Sequence, residues 1–247
     1  MKILHIWDVV GVATILAKYQ RRLGHEAEVI MRDGLDAFKI HKFYSPKLFK
    51  GSALNFYRFA IKEAKKFDIV HIHSLTKVVL FIRKPKVLHF HGSDIADPKF
   101  SGRIENYIAT KLVDKVLLST PDLLRFIPTA EWLPNPVDTD HFYPRQPKKD
   151  FKNKKLTFKF ANYPHAYTLE GTNETIPYED MPDYLLSKTH YVDTCAPALC
   201  KTSFEALACG IPVIWNGLKI QPPCPKEHEG LNVAKRTIEI YEELLKR

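Results

Sequence analysis

The apolar positions change period several times along the chain. Val12, Ile15, Leu16, Tyr19 and Leu23 recur three and four residues apart, which predicts a helix over residues 12–23. Gly24 then stops it in the left-handed position past the last turn. Apolar blocks at 2–6, 27–31, 67–73, 86–91, 115–119 and 131–133 predict strands, and 55–66, 103–112 and 121–126 predict the helices between them. The alternation resumes later, with strands at 156–160, 166–169, 191–194 and 211–215. Helices follow at 181–187, 202–208 and, amphipathic, at 230–245. Strands alternating with helices imply parallel βαβ units in a doubly wound sheet. The expected architecture is α/β, with two Rossmann-like domains facing each other and the second truncated. The boundaries read 1–145 for the first domain, 152–225 for the second and 226–247 for a C-terminal helix. A proline-rich stretch at 132–144 and six cations against Asp150 in 145–155 form the connector. Such a pair of domains binds its ligand at the carboxyl ends of the strands.

At 247 residues the chain suits one large domain or two small ones. Its apolar runs, such as residues 78–82, are far shorter than the roughly 20 residues of a spanning helix. The first residues, with Asp8 so early, read as a strand and not an export signal. That points to the cytoplasm, with Cys195, Cys200, Cys209 and Cys224 as reduced thiols. None forms a Cys-x-x-Cys pair, so no zinc site is read from them.

Charge changes the picture. Lys plus Arg number 37 and Asp plus Glu 28, a net +9 that favours an anionic partner. The excess concentrates at 37–66, where eight cations and seven aromatics face Glu63 alone. Two readings stay open there: a surface that rests on an anionic membrane, peripheral on its inner face, or a solvated lysine face over an aromatic core. No nucleic-acid module is recognisable, so nucleic acid is not expected as a partner.

Candidate chemistry lies in three places. Gly11, in the turn after the first strand, lets a ligand approach a helix N-terminus with free N–H groups. His71 and His73 share a face of one strand, and His89 and His91 of another. Without carboxylate or cysteine support they do not read as metal ligands, and His71 and His89 are expected to be packed and hydrogen-bonded. His91 and Asp94 sit at a strand's carboxyl end beside a glycine, which is a site position. In residues 202–214 small residues let a helix lie close to the sheet, Glu205 can accept two hydroxyl hydrogen bonds, and Gly210 ends the helix.

These segments, with residues 119–123 and the connector 133–142, resemble in order the family 4 glycosyltransferases of GT-B fold. The resemblance implies a retaining transferase that moves a sugar from a nucleotide-diphosphate sugar to a glycan or lipid-linked acceptor. It implies no cofactor and no obligatory metal. Glu205 would bind the ribose hydroxyls, Gly210 would lie nearby, and His91 would contact the donor sugar as the catalytic residue. Gly11 and Asp94 would belong to the nucleotide-sugar site. The chain departs from the family pattern at Pro197, where a second glutamate is usual, and at 161–165, where a Gly-Arg…Lys diphosphate clamp is missing. Lys201, or else Lys159 or Lys188, is the replacement expected for that charge. The departures leave an alternative: a degenerate relative that binds a nucleotide, a sugar or a partner subunit.

Overall fold

Residues 69–73 are buried at every position, as a central strand of a parallel sheet must be. The computed structural model describes residues 1–8, 10–34, 39–96, 100–151, 156–158, 167–169, 176–195 and 197–247. In chain order the elements are β1 (Lys2–Ile6), α1 (Val12–Arg22), β2 (Glu26–Arg32), α2 (Ile40–Tyr44), β3 (Lys47–Phe49), α3 (Ala53–Ala64), β4 (Ile69–His73), β5 (Lys86–Phe90), α4 (Ser93–Ala96), α5 (Phe100–Lys111), β6 (Lys115–Leu118) and β7 (Glu131–Trp132). Then come β8 (Leu156–Phe158), β9 (Tyr167–Leu169), α6 (Met181–Leu186), β10 (Tyr191–Asp193), α7 (Lys201–Ala208), β11 (Val213–Trp215), β12 (Leu218–Ile220) and α8 (Gly230–Leu245).

The chain divides into two units. The first comprises Met1–Asp33, Pro46–Pro136 and Gly230–Arg247. Its seven strands form one parallel sheet in the order β3-β2-β1-β4-β5-β6-β7. The strand order reverses between β1 and β4, the switch point where open α/β sheets bind ligands. One face buries Leu4, Ile6, Val70, Ile72, Leu88 and Phe90 under Phe56 and Ala60 of α3. The other buries Ile3, Ile69, Val87 and Leu117 under α1 and α8.

The second unit comprises Gly34–Ser45 and Val137–Glu229. It holds one βαβ unit, β10–α7–β11, extended by antiparallel β12, and a separate antiparallel pair, β8 and β9. Its core gathers Ile40, Val137, Phe142, Tyr178, Leu185, Phe204, Leu207 and Val213. One βαβ unit is less than a full Rossmann domain, so the architecture is α/β with a reduced second unit.

Two segments lie elsewhere than the sequence boundaries put them. The last helix belongs to the first unit, because Val233, Ala234, Tyr241 and Leu244 bury against Val12, Ala13 and Leu16 of α1. Fully burying one such large apolar side chain contributes about 1.5–3 kcal/mol, so α8 is part of that core and not a separate tail. Residues 34–45 join the second unit because Ile40 enters its core and the Tyr44 hydroxyl donates to Asp138.

Candidate functional site

The carboxyl edge of the first sheet is built from α/β alternation with one substitution of chemistry. On the face covered by α1 and α8, each central strand starts aliphatic and turns to histidine: Ile3 then His5, Ile69 then His71 and His73, Val87 then His89 and His91. The register brings His5 beside His71 and His73 beside His89. His5 Nδ1 lies 3.0 Å from His73 Nε2, and His73 Nδ1 lies 3.0 Å from His91 Nε2. His91 Nδ1 is 2.7 Å from Ser119 Oγ, which is 3.0 Å from His89 Nε2. At the inner end His5 Nε2 is 2.8 Å from Gln20 Oε1, and Gln20 Nε2 donates to Thr237 Oγ1 at 3.2 Å. His71 Nδ1 is 2.5 Å from the Tyr241 hydroxyl. Burial disfavours the imidazolium and pushes His5 and His91 down to about 4; Gln20 and Asp94 respectively oppose the shift. Burial lowers His71, His73 and His89 further still. All five are therefore neutral at pH 7. His71 and His89 are packed as expected, but each keeps one buried nitrogen, Nε2 and Nδ1 respectively, with no hydrogen-bond partner among the described residues. His5, a member of this group, carried no sequence signal: it stands alone on its strand, and only the pairing of β1 with β4 brings it in.

His91 and Asp94 come together. The Asp94 carboxylate accepts from the backbone N–H of His91 and of Gly92, at 2.9 Å and 2.7 Å, and from Ser74 Oγ at 2.5 Å. Gly11 follows β1, two strands from β5, with φ 82. Its helix N-terminus is not free as expected: the Asp8 carboxylate accepts from Ala13 N and Thr14 Oγ1, both at 2.9 Å. An acidic cap there satisfies one of the orphan donors and already complements the helix dipole. Around it Trp7, Val10 and Ser74 adopt positive φ of 74, 48 and 58 in the loops after β1 and β4. Strained non-glycine backbone of this kind clusters at functional sites.

In the second unit α7 brings Lys201 and Glu205 together, while Gly210 lies past its other end. Gly210, at φ 83, ends the helix in a Schellman turn: its N–H donates to Leu207 O, and that of Ile211 to Ala206 O. Lys201 Nζ donates to Glu205 Oε1 one turn away, with both side chains buried. Burial raises the Glu205 carboxyl, and the Lys201 charge offsets that only in part. Lys201 also lies 5.3 Å over the Tyr178 ring. Tyr178 packs against Phe43, Tyr44, His141 and Phe142, and Tyr44 donates to the buried Asp138 carboxylate. Nothing in the sequence marks Tyr178, while Tyr44 and Asp138 carry a signal only as members of the basic aromatic stretch and of the stiff connector. Cys195 and Cys200 meet Asp193, whose carboxylate accepts from both backbone N–H groups and from Ser203 Oγ. Lys188 Nζ donates to Phe151 O, while Lys159 and 161–165 lie outside the described residues.

The basic stretch 37–66 is divided between the units. Its eight cations are all exposed. Phe56 is buried, Phe49, Tyr57 and Phe59 pack on the same core, and Phe43 and Tyr44 line the Tyr178 cluster. Lys47 and Lys66 both pair with Glu63. Phe38 lies outside the described residues. Among the described residues no helix is long and apolar enough to cross a membrane.

A doubly wound parallel sheet with polar groups massed at its carboxyl edge defines the ligand-binding class of α/β proteins. The chain matches the family model of Glycosyltransferase Family 4 over residues 9–141, and it belongs to that family. No curated protein matches it. Among solved structures it is similar to an alpha-glucosyltransferase in complex with UDP and a 13-mer DNA, at 14% identity over 61% of this chain and 46% of that one, TM-score 0.43. It is similar to MurG of Acinetobacter baumannii, at 15% identity over 61% and 50%, TM-score 0.39. It is similar to the spinosyn forosaminyltransferase SpnP, at 9% identity over 99% and 91%, TM-score 0.47. The chain thus spans about half the length of the first two. Family membership comes from the sequence match, and the α/β architecture from the strands themselves.

Proposed function

We propose that the protein is a retaining glycosyltransferase that takes its sugar from a nucleotide-diphosphate donor and passes it to a glycan or lipid-linked acceptor. The observation that carries this is the buried Lys201–Glu205 pair on α7, beside the Tyr178 aromatic cluster and ahead of Gly210. A carboxylate accepts through two oxygens, so Glu205 can take ribose hydroxyls while Lys201 holds one side of it. Lys201 carries two further N–H donors, which suit a leaving diphosphate whose charge grows as the glycosidic bond breaks. In this reading Lys201 stands in for the diphosphate clamp of the family pattern. By the family resemblance His91 contacts the donor sugar, and Gly11 and Asp94 bind the nucleotide sugar.

A thermal-shift screen against nucleoside diphosphates and their sugar conjugates tests the reading. A ligand at 100 times its Kd adds about 2.7 kcal/mol, or roughly 5–10 °C for a chain of this size. The expected result is a base-selective shift in the wild type that Glu205→Gln abolishes. No shift anywhere on the panel would overturn the transferase in favour of a degenerate family member. Acceptors should include DNA, because one similar solved structure is a glucosyltransferase in complex with it. The membrane reading of residues 37–66 predicts flotation with anionic vesicles and none with neutral ones.

A further inference from the structure

We propose that His73, His89 and His91 form a binding site for a divalent transition ion of zinc type. One nitrogen of each lies within 4.8 Å of the others. The hydrogen-bond chain fixes the protons. Thr237 Oγ1 donates to Ala234 O at 2.7 Å, so it accepts from Gln20 Nε2, and Gln20 turns its oxygen to His5 Nε2. His5 must then carry its proton on Nε2 and accept at Nδ1, which puts the proton of His73 on Nε2. The Nδ1 of His73 is left as an acceptor, facing His91 Nε2 at 3.0 Å. His89 Nδ1 is buried and has no partner among the described residues. One hydroxyl, Ser119 Oγ, lies within reach of both His89 Nε2 and His91 Nδ1 and can accept from the two rings. With those far nitrogens protonated, His89 Nδ1 presents a lone pair and so does His91 Nε2, whose contact to His73 an ion then replaces.

The result is three neutral imidazoles whose other nitrogens are each held by an outer partner, the arrangement that orients histidine ligands. Neutral imidazole suits zinc, copper, nickel and iron. Tetrahedral zinc at 2.0–2.1 Å from nitrogen needs ligand nitrogens about 3.3 Å apart. The 3.0 Å between His73 Nδ1 and His91 Nε2 opens to that by a few tenths of an ångström. Three imidazoles leave the fourth position for water or an anion, and half-buried His91 gives the ion its way in. The alternative triad of His5, His71 and His73 is buried throughout. Neutral His73 has one lone pair, so the two triads cannot fill together and the stoichiometry is one ion per chain.

The test is Zn²⁺ binding by the whole chelator-stripped chain, measured by competition with a chromophoric chelator, and the visible spectrum with Co²⁺. No nucleotide sugar is present, so the outcome is independent of the transferase reading, in which His91 carries no ion while it contacts the donor sugar. The expected result is one site and a four-coordinate Co²⁺ spectrum without thiolate charge transfer. His89→Gln should weaken it by more than the roughly 100-fold that loss of an outer partner costs. Glutamine keeps a contact to Ser119, so this variant folds even where His73→Asn fails to. The exposed His190→Ala should change nothing. Binding no tighter in wild type than in His89→Gln would overturn the proposal. So would binding that His89→Gln keeps and Cys200→Ser loses, because it would place the ion at Asp193, Cys195 and Cys200.

Discussion

The first unit packs a row of five imidazoles and the second buries a lysine–glutamate pair, and these two groups respond to protons in opposite directions. Neutral rings cost little to bury once hydrogen-bonded, so five of them can line one face of a seven-stranded sheet. Glu205 and Asp138 sit in a unit with one short βαβ sheet, and their neighbours must supply a cation or a hydroxyl at close range. A large sheet supports a chain of neutral groups; a small one concentrates charge around a single helix.

Acid should strain that contrast most. In the unfolded chain histidine takes a proton near 6.5, whereas His5 in the fold does so only near 4. Protons therefore favour unfolding between those values. Stability is full above pH 6.5 and falls as pH drops, by up to about 1.4 kcal/mol per unit for each buried histidine. His5 alone accounts for about 3 kcal/mol by pH 4, readable in urea melts at stepped pH. Glu205 acts the other way: its raised carboxyl disfavours the fold as pH climbs through it.

The next largest effect should come from Glu205→Ala, which leaves the buried Lys201 ammonium without its partner and costs about 3–5 kcal/mol. Lys201→Met should cost less at pH 5 than at pH 8, because Glu205 can take up a proton, and equal losses would remove the ionic account of the second unit. Ser119→Ala should cost about 1–3 kcal/mol for each of the two imidazole nitrogens it strands, His89 Nε2 and His91 Nδ1. The smallest effect, about 1–2 kcal/mol, is expected of Gly210→Ala, at φ 83 with Pro144 3.5 Å from the added methyl. Chemical denaturation checks both.

Local periodicity carried much of the fold. The helix at 230–245 and the parallel strands of the first unit were legible because each keeps its own period over enough residues. The strand β12 shows no period of its own, although Asn216-Gly217 with φ 50 and 77 is the two-residue hairpin turn that marks it. Residues 34–45 were misplaced because Ile40 and Tyr44 find partners about a hundred residues away, a separation no periodicity encodes. The candidate site divides the same way. His91, Asp94 and Gly210 sit where a strand ends or a helix stops, positions a sequence pattern can mark. The partnership of Lys201 with Glu205 follows from helical spacing. Asp8 as the cap above Gly11, and His5 as a fifth ring, exist only through packing.

The last helix gives the first unit an order of assembly. Thr237 and Tyr241 anchor a chain of rings that begins at His5, and α8 covers the apolar side of α1. During synthesis those anchors leave the ribosome more than two hundred residues after His5. Until then Gln20 and His71 lack their final partners, and Val12, Ala13 and Leu16 lack their cover. That face of the nascent sheet must wait uncovered until α8 leaves the exit tunnel and packs on α1.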